Sequence, residues 1–218
     1  MTKNYIKTEK DIYSYYPKQL KTGVKKIDTV IAVKLLGDVV DVLNKYSIDH
    51  CLMFGTLLGA VREAGLIKHD EDMDIFIREC DFQKLVNTLF ELRDLGIDVV
   101  RHSDFILSIM RDGEYIDFYV FSDTNGASLK CKSYVYPKFY FDEFEVLNLN
   151  GKPFKVPKHS ESLLSMIYGE DWRIPKEGKH ALTNSKGAKF YRFSSRTLGS
   201  ILPHSIFTWL KRAVKIFQ

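Results

Sequence analysis

Residues 69–77 read HDEDMDIFI, and no other stretch limits the possible folds of this chain as tightly. Four acidic residues fall within five positions, and an apolar run follows at once. Side chains alternate along a strand, so Met73, Ile75 and Ile77 take one face and Asp72 and Asp74 the other. Asp70 joins the acidic face if the strand begins early. One strand must therefore serve a core and carry a line of like charges. Left unpaired, those carboxylates repel one another, and a cation is their natural partner. Oxygen donors alone suit a hard ion such as Mg²⁺ or Mn²⁺. The plainer reading is a solvated acidic turn ahead of a strand. A calcium loop of the EF-hand type does not fit. Counted from Asp70, its sixth position should be Gly and its twelfth Glu, but Ile75 and Asp81 stand there.

The chain of 218 residues is one ordinary domain, or one with a small appendage. Hydrophobic residues at 45% are enough for a core, and charged residues at 28% argue against disorder. A net charge of +4 fits an anionic ligand but is far below the footprint of a nucleic-acid binder, so no nucleic-acid partner is expected. Cys51, Cys80 and Cys131 are widely spaced and match no zinc pattern. They read as reduced thiols, and the N-terminus has no apolar signal-peptide core, so a cytoplasmic location is expected.

Apolar residues recur at helical spacing from Val24 to Tyr46. HCLMF (50–54) reads as a buried strand, Gly55-Thr56 as a turn, and 57–65 as a short helix ending at Gly65. MDIFIR (73–78) alternates as a strand does, and 81–95 reads as a helix with an Asp81 cap. Strands are expected over 97–101, 105–111 and 114–121, with an Asp-Gly hairpin between the last two. Turns are expected at Asn125-Gly126 and Asn150-Gly151, and a helix capped by Ser160 over 160–168. This order predicts a mixed α/β (α+β) fold, a small mixed sheet flanked by helices, rather than regular βαβ units. Residues 1–21 read as a loose lead-in, 22–195 as the catalytic domain and 196–218 as a basic amphipathic tail.

Two features weigh against a merely solvated acidic turn. Asp117 sits inside the apolar, alternating run YIDFYVF, where a carboxylate needs a reason to be. On a strand beside Asp72 and Asp74 it would complete a three-carboxylate metal site. Gly55 and Thr56, between a strand and a helix start, would turn backbone N–H groups toward an anion.

These residues carry a resemblance. FGTLLGAVREAGLIKHDEDMDIFI (54–77) resembles the signature of the LicD/fukutin family of phosphotransferases, without a gap over 55–75. The likeness extends to YIDFYVF and to VPKHSESLLSMIYGEDWRIP, so it spans about 35–180. It implies a nucleotidyltransferase-like fold. It also implies metal-dependent transfer of a phospho-alcohol, such as phosphocholine or a polyol phosphate, from a CDP-activated donor. The acceptor would be a sugar hydroxyl of a cell-surface glycan or a lipid-linked glycan. By position, Asp72 and Asp74 match the family's metal-binding D-x-D, and Asp117 its third acidic residue. Gly55 and Thr56 match the phosphate-facing turn, and Arg62 the arginine of the following helix. The chain departs from the pattern at Lys68-His69, where the family usually has Pro-Trp. Glu63 stands where His is common, and Glu71 and Met73 replace Asp and Ile. His69 is thereby a candidate ligand contact.

Trp172 in YGEDWRIP offers an aromatic face to a quaternary ammonium or a sugar, or simply packs in a core. The tail SIFTWLKRAVKIFQ puts Ile206, Phe207, Leu210, Val214 and Phe217 on one helical face and lysines and arginine elsewhere. It would lie on an anionic membrane at the inner face of the cell, or dock on the domain. Three rivals stand beside the phosphotransferase reading. They are a D-x-D glycosyltransferase with a nucleotide sugar, a same-fold enzyme that transfers the nucleotide itself, and a non-catalytic binding protein.

Overall fold

The structure, a computed structural model, describes residues 2–20 and 26–175. The chain divides into two compact units, 1–164 and 165–218. The tail over 196–218, and with it the expected membrane contact, lies outside the described residues.

The first unit opens with a hairpin, β1 (Asn4–Lys7) and β2 (Ile12–Tyr15), where the sequence led us to expect a loose lead-in. Ile6, Tyr13 and Tyr15 are buried. Tyr13 stacks edge-on against Phe90 at 5.3 Å and holds the Arg93 guanidinium 3.7 Å from its ring. Aromatic burial of this kind fixes a short hairpin that its polar composition alone would not.

Helix α1 (Thr29–Lys45) starts at Asp28, whose carboxylate accepts the N–H groups of Val30 and Ile31. β3 (His50–Leu52) leads into α2 (Phe54–Glu63), and β4 (Met73–Arg78) follows the acidic segment. The helix expected over 81–95 is two, α3 (Glu79–Asn87) and α4 (Leu89–Asp94). Thr88 separates them, its hydroxyl donating to the Leu85 carbonyl at 2.8 Å and competing with the helical ladder. Asp81 is no cap. It lies in the first turn of α3 and pairs with Lys84 at 2.6 Å.

β5 (Asp98–Ser103), β6 (Ile106–Arg111) and β7 (Glu114–Asp123) come next. Asp112 and Gly113 take positive φ of 51° and 83° between β6 and β7, as an Asp-Gly hairpin requires. β8 (Ser128–Cys131) and β9 (Tyr134–Pro137) pair with each other, and β8 also pairs with the end of β7. A second hairpin, β10 (Phe144–Leu149) and β11 (Lys152–Pro157), turns at Asn150-Gly151. Helix α5 (Ser160–Tyr168) follows, and the Ser160 hydroxyl donates to the Pro157 carbonyl.

The central sheet has the order β3-β4-β7-β6-β5. β4 and β7 are parallel, and every other neighbouring pair is antiparallel. This is the mixed α/β architecture expected from the sequence. The parallel pair is central, buried on both faces, and α1 and α3 pack against β7. Consequently a carboxylate in the middle of β4 or β7 has little access to water and must find a partner within the protein or bind one. Among the described residues no helix is long and apolar enough to cross a membrane.

Candidate active site

The register of the central sheet builds the site. Asp74 on β4 stands opposite Asp117 on β7, Asp117 opposite Ser108 on β6, and Ser108 opposite Arg101 on β5. A polar row thus crosses four strands of an otherwise apolar sheet. Asp72 lies just before β4. One carboxylate oxygen from each of Asp72, Asp74 and Asp117 falls within 4.8 Å of the others. Asp74 and Asp117 are buried and Asp72 is half-buried.

The first turn of α2 holds Asp74 in place. Gly55 and Thr56, expected as a turn, lie inside this helix, which begins at Phe54. Phe54 has a positive φ of 43°, a costly conformation for a non-glycine residue, and its ring packs 4.8 Å from both Tyr119 and Tyr134. The Gly55 N–H then donates to Asp74 Oδ2 at 3.1 Å, so the helix terminus stabilises this carboxylate. The Thr56 hydroxyl accepts the Asp74 N–H at 2.7 Å, and the Met53 N–H reaches the Asp74 carbonyl at 3.0 Å. Gly55 is also required by space. A Cβ there would lie 2.2 Å from Asp70 Oδ2 and 3.6 Å from Asp74 Oδ2. The end of α2 differs from expectation too. Ala64, not Gly65, takes the left-handed conformation, and Gly59 makes the close approach, since a Cβ there would meet the Gly65 carbonyl at 2.4 Å.

Burial raises the proton affinity of Asp70, Asp72, Asp74 and Asp117, and repulsion between neighbouring carboxylates adds to it at the first three. Asp72 is pushed up to about 7, first by burial and then by the charges of Asp117 and Asp70. Asp74 is raised well above the carboxylate range, first by burial and then by Asp72, Asp70 and Asp117. Asp117 is raised by burial, with Arg101 pulling it back, and burial also raises Asp70. Tyr115, Asp117 and Tyr119 share one face of β7. Burial, with the neighbouring carboxylates, raises both phenols, and Tyr115 hydrogen-bonds to Asp72.

These residues fit a divalent cation. The donors are carboxylate oxygens, the preference of Mg²⁺ and Mn²⁺. Among the described residues Asp117 Oδ1 is buried and has no hydrogen-bond partner, while Oδ2 is held by Arg101 Nη2. A buried acceptor without a partner is costly, and a cation or a bound proton removes that cost.

The remaining expected site residues are Arg62, His69 and Trp172. Arg62 pairs with its neighbour Glu63 through Nε and Nη2. His69 is exposed in the turn 68–69 ahead of the acids. Trp172 belongs to the second unit, where it is buried and carries the Arg173 guanidinium 4.2 Å from its ring. Arg101, Ser108 and Tyr115 touch the carboxylates and carry no local sequence signal. They come from strands whose register only pairing sets.

A small mixed sheet presenting three carboxylates beside the first turn of a helix defines a nucleotidyltransferase-like fold. Residues 47–161 match the LicD/FKTN/FKRP nucleotidyltransferase domain, and the chain belongs to this family. It is 28% identical over 121 residues to an uncharacterised protein of Rickettsia typhi, covering 56% of this chain and 38% of that one. It is 35% identical over 48 residues to the lipopolysaccharide cholinephosphotransferase LicD of Haemophilus influenzae, covering 22% and 18%. The matches thus span well under half the length of these relatives. Among solved structures, ANT(2")-Ia in complex with adenylyl-2"-tobramycin aligns at a TM-score of 0.52 and 15% identity, covering 77% of this chain and 98% of that one. At that identity the likeness concerns the fold.

Proposed function

We propose that the chain transfers a phospho-alcohol from a CDP-activated donor to a sugar hydroxyl of a surface glycan, using Mg²⁺ or Mn²⁺. The observation that carries the reading is the convergence of Asp72, Asp74 and Asp117 within 4.8 Å, in a member of the LicD family. The family match and the partial likeness to a cholinephosphotransferase support the phosphotransferase class.

In this reading the acceptor oxygen bonds to the phosphorus bearing the alcohol. The bridging P–O bond breaks, and CMP leaves with its electron pair. The hydroxyl proton passes to Asp117, whose Oδ1 has no hydrogen-bond partner among the described residues. Asp72, Asp74 and Asp117 would hold the metal, which would supply charge neutralisation to the diphosphate. Gly55 and Thr56 fix Asp74 through their N–H and hydroxyl.

The test is a panel of CDP-choline, CDP-ribitol and CDP-glycerol, assayed for metal-dependent CMP release and for the mass added to a glycan acceptor. A phospho-alcohol increment is expected. An increment of the nucleotide would replace this reading with nucleotidyl transfer, and no release from any donor would sink it.

A further inference from the structure

Arg101 is joined to the acidic site by a fold irregularity. Val99 pairs with Ile109 and Arg101 with Ser108, so Val100 is an extra residue in β5. In a regular ladder Val100 would stand opposite Ser108. The bulge shifts the strand by one residue and turns Arg101 onto the face of Asp117, as bulges beside functional sites do. The Val100 carbonyl accepts the Lys18 N–H at 2.9 Å, and Val99 and Val100 are both buried, so the bulge is anchored from two sides.

The anchored guanidinium is only partly used. Nε donates to Ser108 Oγ at 2.8 Å and Nη2 to Asp117 Oδ2, while Nη1 has no partner among the described residues. The Arg101 side chain is 40% exposed, against 3% for Asp117, so the arginine reaches solvent beside a buried carboxylate. Arg62 pairs with Glu63, Arg78 with Asp142, Arg93 with Asp98 and Arg111 with Asp38. Arg101 pairs with a member of the triad.

We propose that Arg101 is an anion-binding residue of this site, giving Nη1 to a phosphoryl oxygen of a diphosphate ligand. The inference rests on the diphosphate-donor reading above and names the residue that receives the anion. Three ionised carboxylates and one divalent cation leave a net negative charge, which repels a diphosphate, and a clamped guanidinium neutralises it. Arginine suits the task because its planar fork serves two acceptors at once and it stays charged.

The test is calorimetric titration of inorganic pyrophosphate into the full chain with Mn²⁺ in excess, for wild type and Arg101→Gln, beside a titration of Mn²⁺ alone. Loss of a charged hydrogen bond predicts a fall in pyrophosphate affinity of roughly 10-fold or more. Mn²⁺ affinity without the anion should stay within about threefold, since the triad is intact. Equal pyrophosphate affinity overturns the proposal. So does an equal fall in Mn²⁺ affinity, which would make Arg101 a positioning residue of Asp117. Should Arg101→Gln not fold, phenylglyoxal labelling of the wild-type chain decides. Protection of Arg101 by pyrophosphate upholds the assignment, and unchanged labelling overturns it. Protection of Arg101 in a chain that binds no Mn²⁺ would uphold Arg101 while removing the metal from the proposed function.

Discussion

Asp74 and Asp117 stand directly opposite each other on adjacent parallel strands, both buried in the middle of the central sheet. Two like charges in such a place destabilise the apo fold, a cost that persists where a site needs it. Asp74→Asn and Asp117→Asn are therefore expected to lower transferase activity by roughly 10³-fold while leaving the metal-free melting temperature equal or higher. Thermal melts in EDTA beside the CMP-release assay check both halves. A variant that is active, or one that is inactive only because it unfolds, would contradict the assignment.

Gly55 carries a steric prediction. A methyl group there collides with Asp70 Oδ2 and crowds Asp74 Oδ2. Gly55→Ala should cost about 1–3 kcal/mol of stability and displace the carboxylates from one another. Urea unfolding measures the first effect, and weaker Mn²⁺ binding by calorimetry reports the second.

Thr56 carries a hydrogen-bond prediction. Its buried hydroxyl is the partner of the Asp74 N–H. Thr56→Val leaves that donor unsatisfied, at a cost of about 1–3 kcal/mol, whereas Thr56→Ser keeps the bond and most of the stability. Equal melting temperatures for the two variants would show that the bond contributes nothing.

The raised carboxylates fix the sign of a pH effect. Asp72 titrates near 7 in the folded chain, and an unfolded Asp near 4. Between those values the folded chain holds a proton that the unfolded chain has released. The contribution of Asp72 to stability is thus present below about pH 4 and is lost as the pH rises through about 7. Asp70, Asp74 and Asp117 shift in the same direction. Metal-free stability should fall from about pH 5 to pH 8, and Mn²⁺ should narrow the difference. Binding of Mn²⁺ near pH 7 should also release protons, seen as a buffer-dependent heat. A metal-free chain that gains stability over this range would refute the assignment.

Much of this molecule is written locally. Alternation in MDIFIR and YIDFYVF announces β4 and β7, Asp-Gly and Asn-Gly mark two hairpins, and acids at fixed spacing mark the D-x-D. Such signals arise from neighbouring residues and are legible without the fold. Local signals mislead where distant partners decide. Gly55-Thr56 looked like a turn because glycine usually marks one, but Phe54, packed on Tyr119 and Tyr134, starts the helix early. The N-terminal hairpin carries little local signal because its order comes from distant partners, Phe90 and Arg93.

By itself the sequence determined which strands carry carboxylates, which faces are apolar and what family pattern the acids follow. Only the tertiary structure decided that Asp74 and Asp117 meet, because register between β4 and β7 is a pairing of segments some forty residues apart in the chain. It also decided that Arg101 sits on the triad. A single extra residue at Val100 sets which way β5 faces, and no local periodicity records a bulge whose effect depends on the strand beside it.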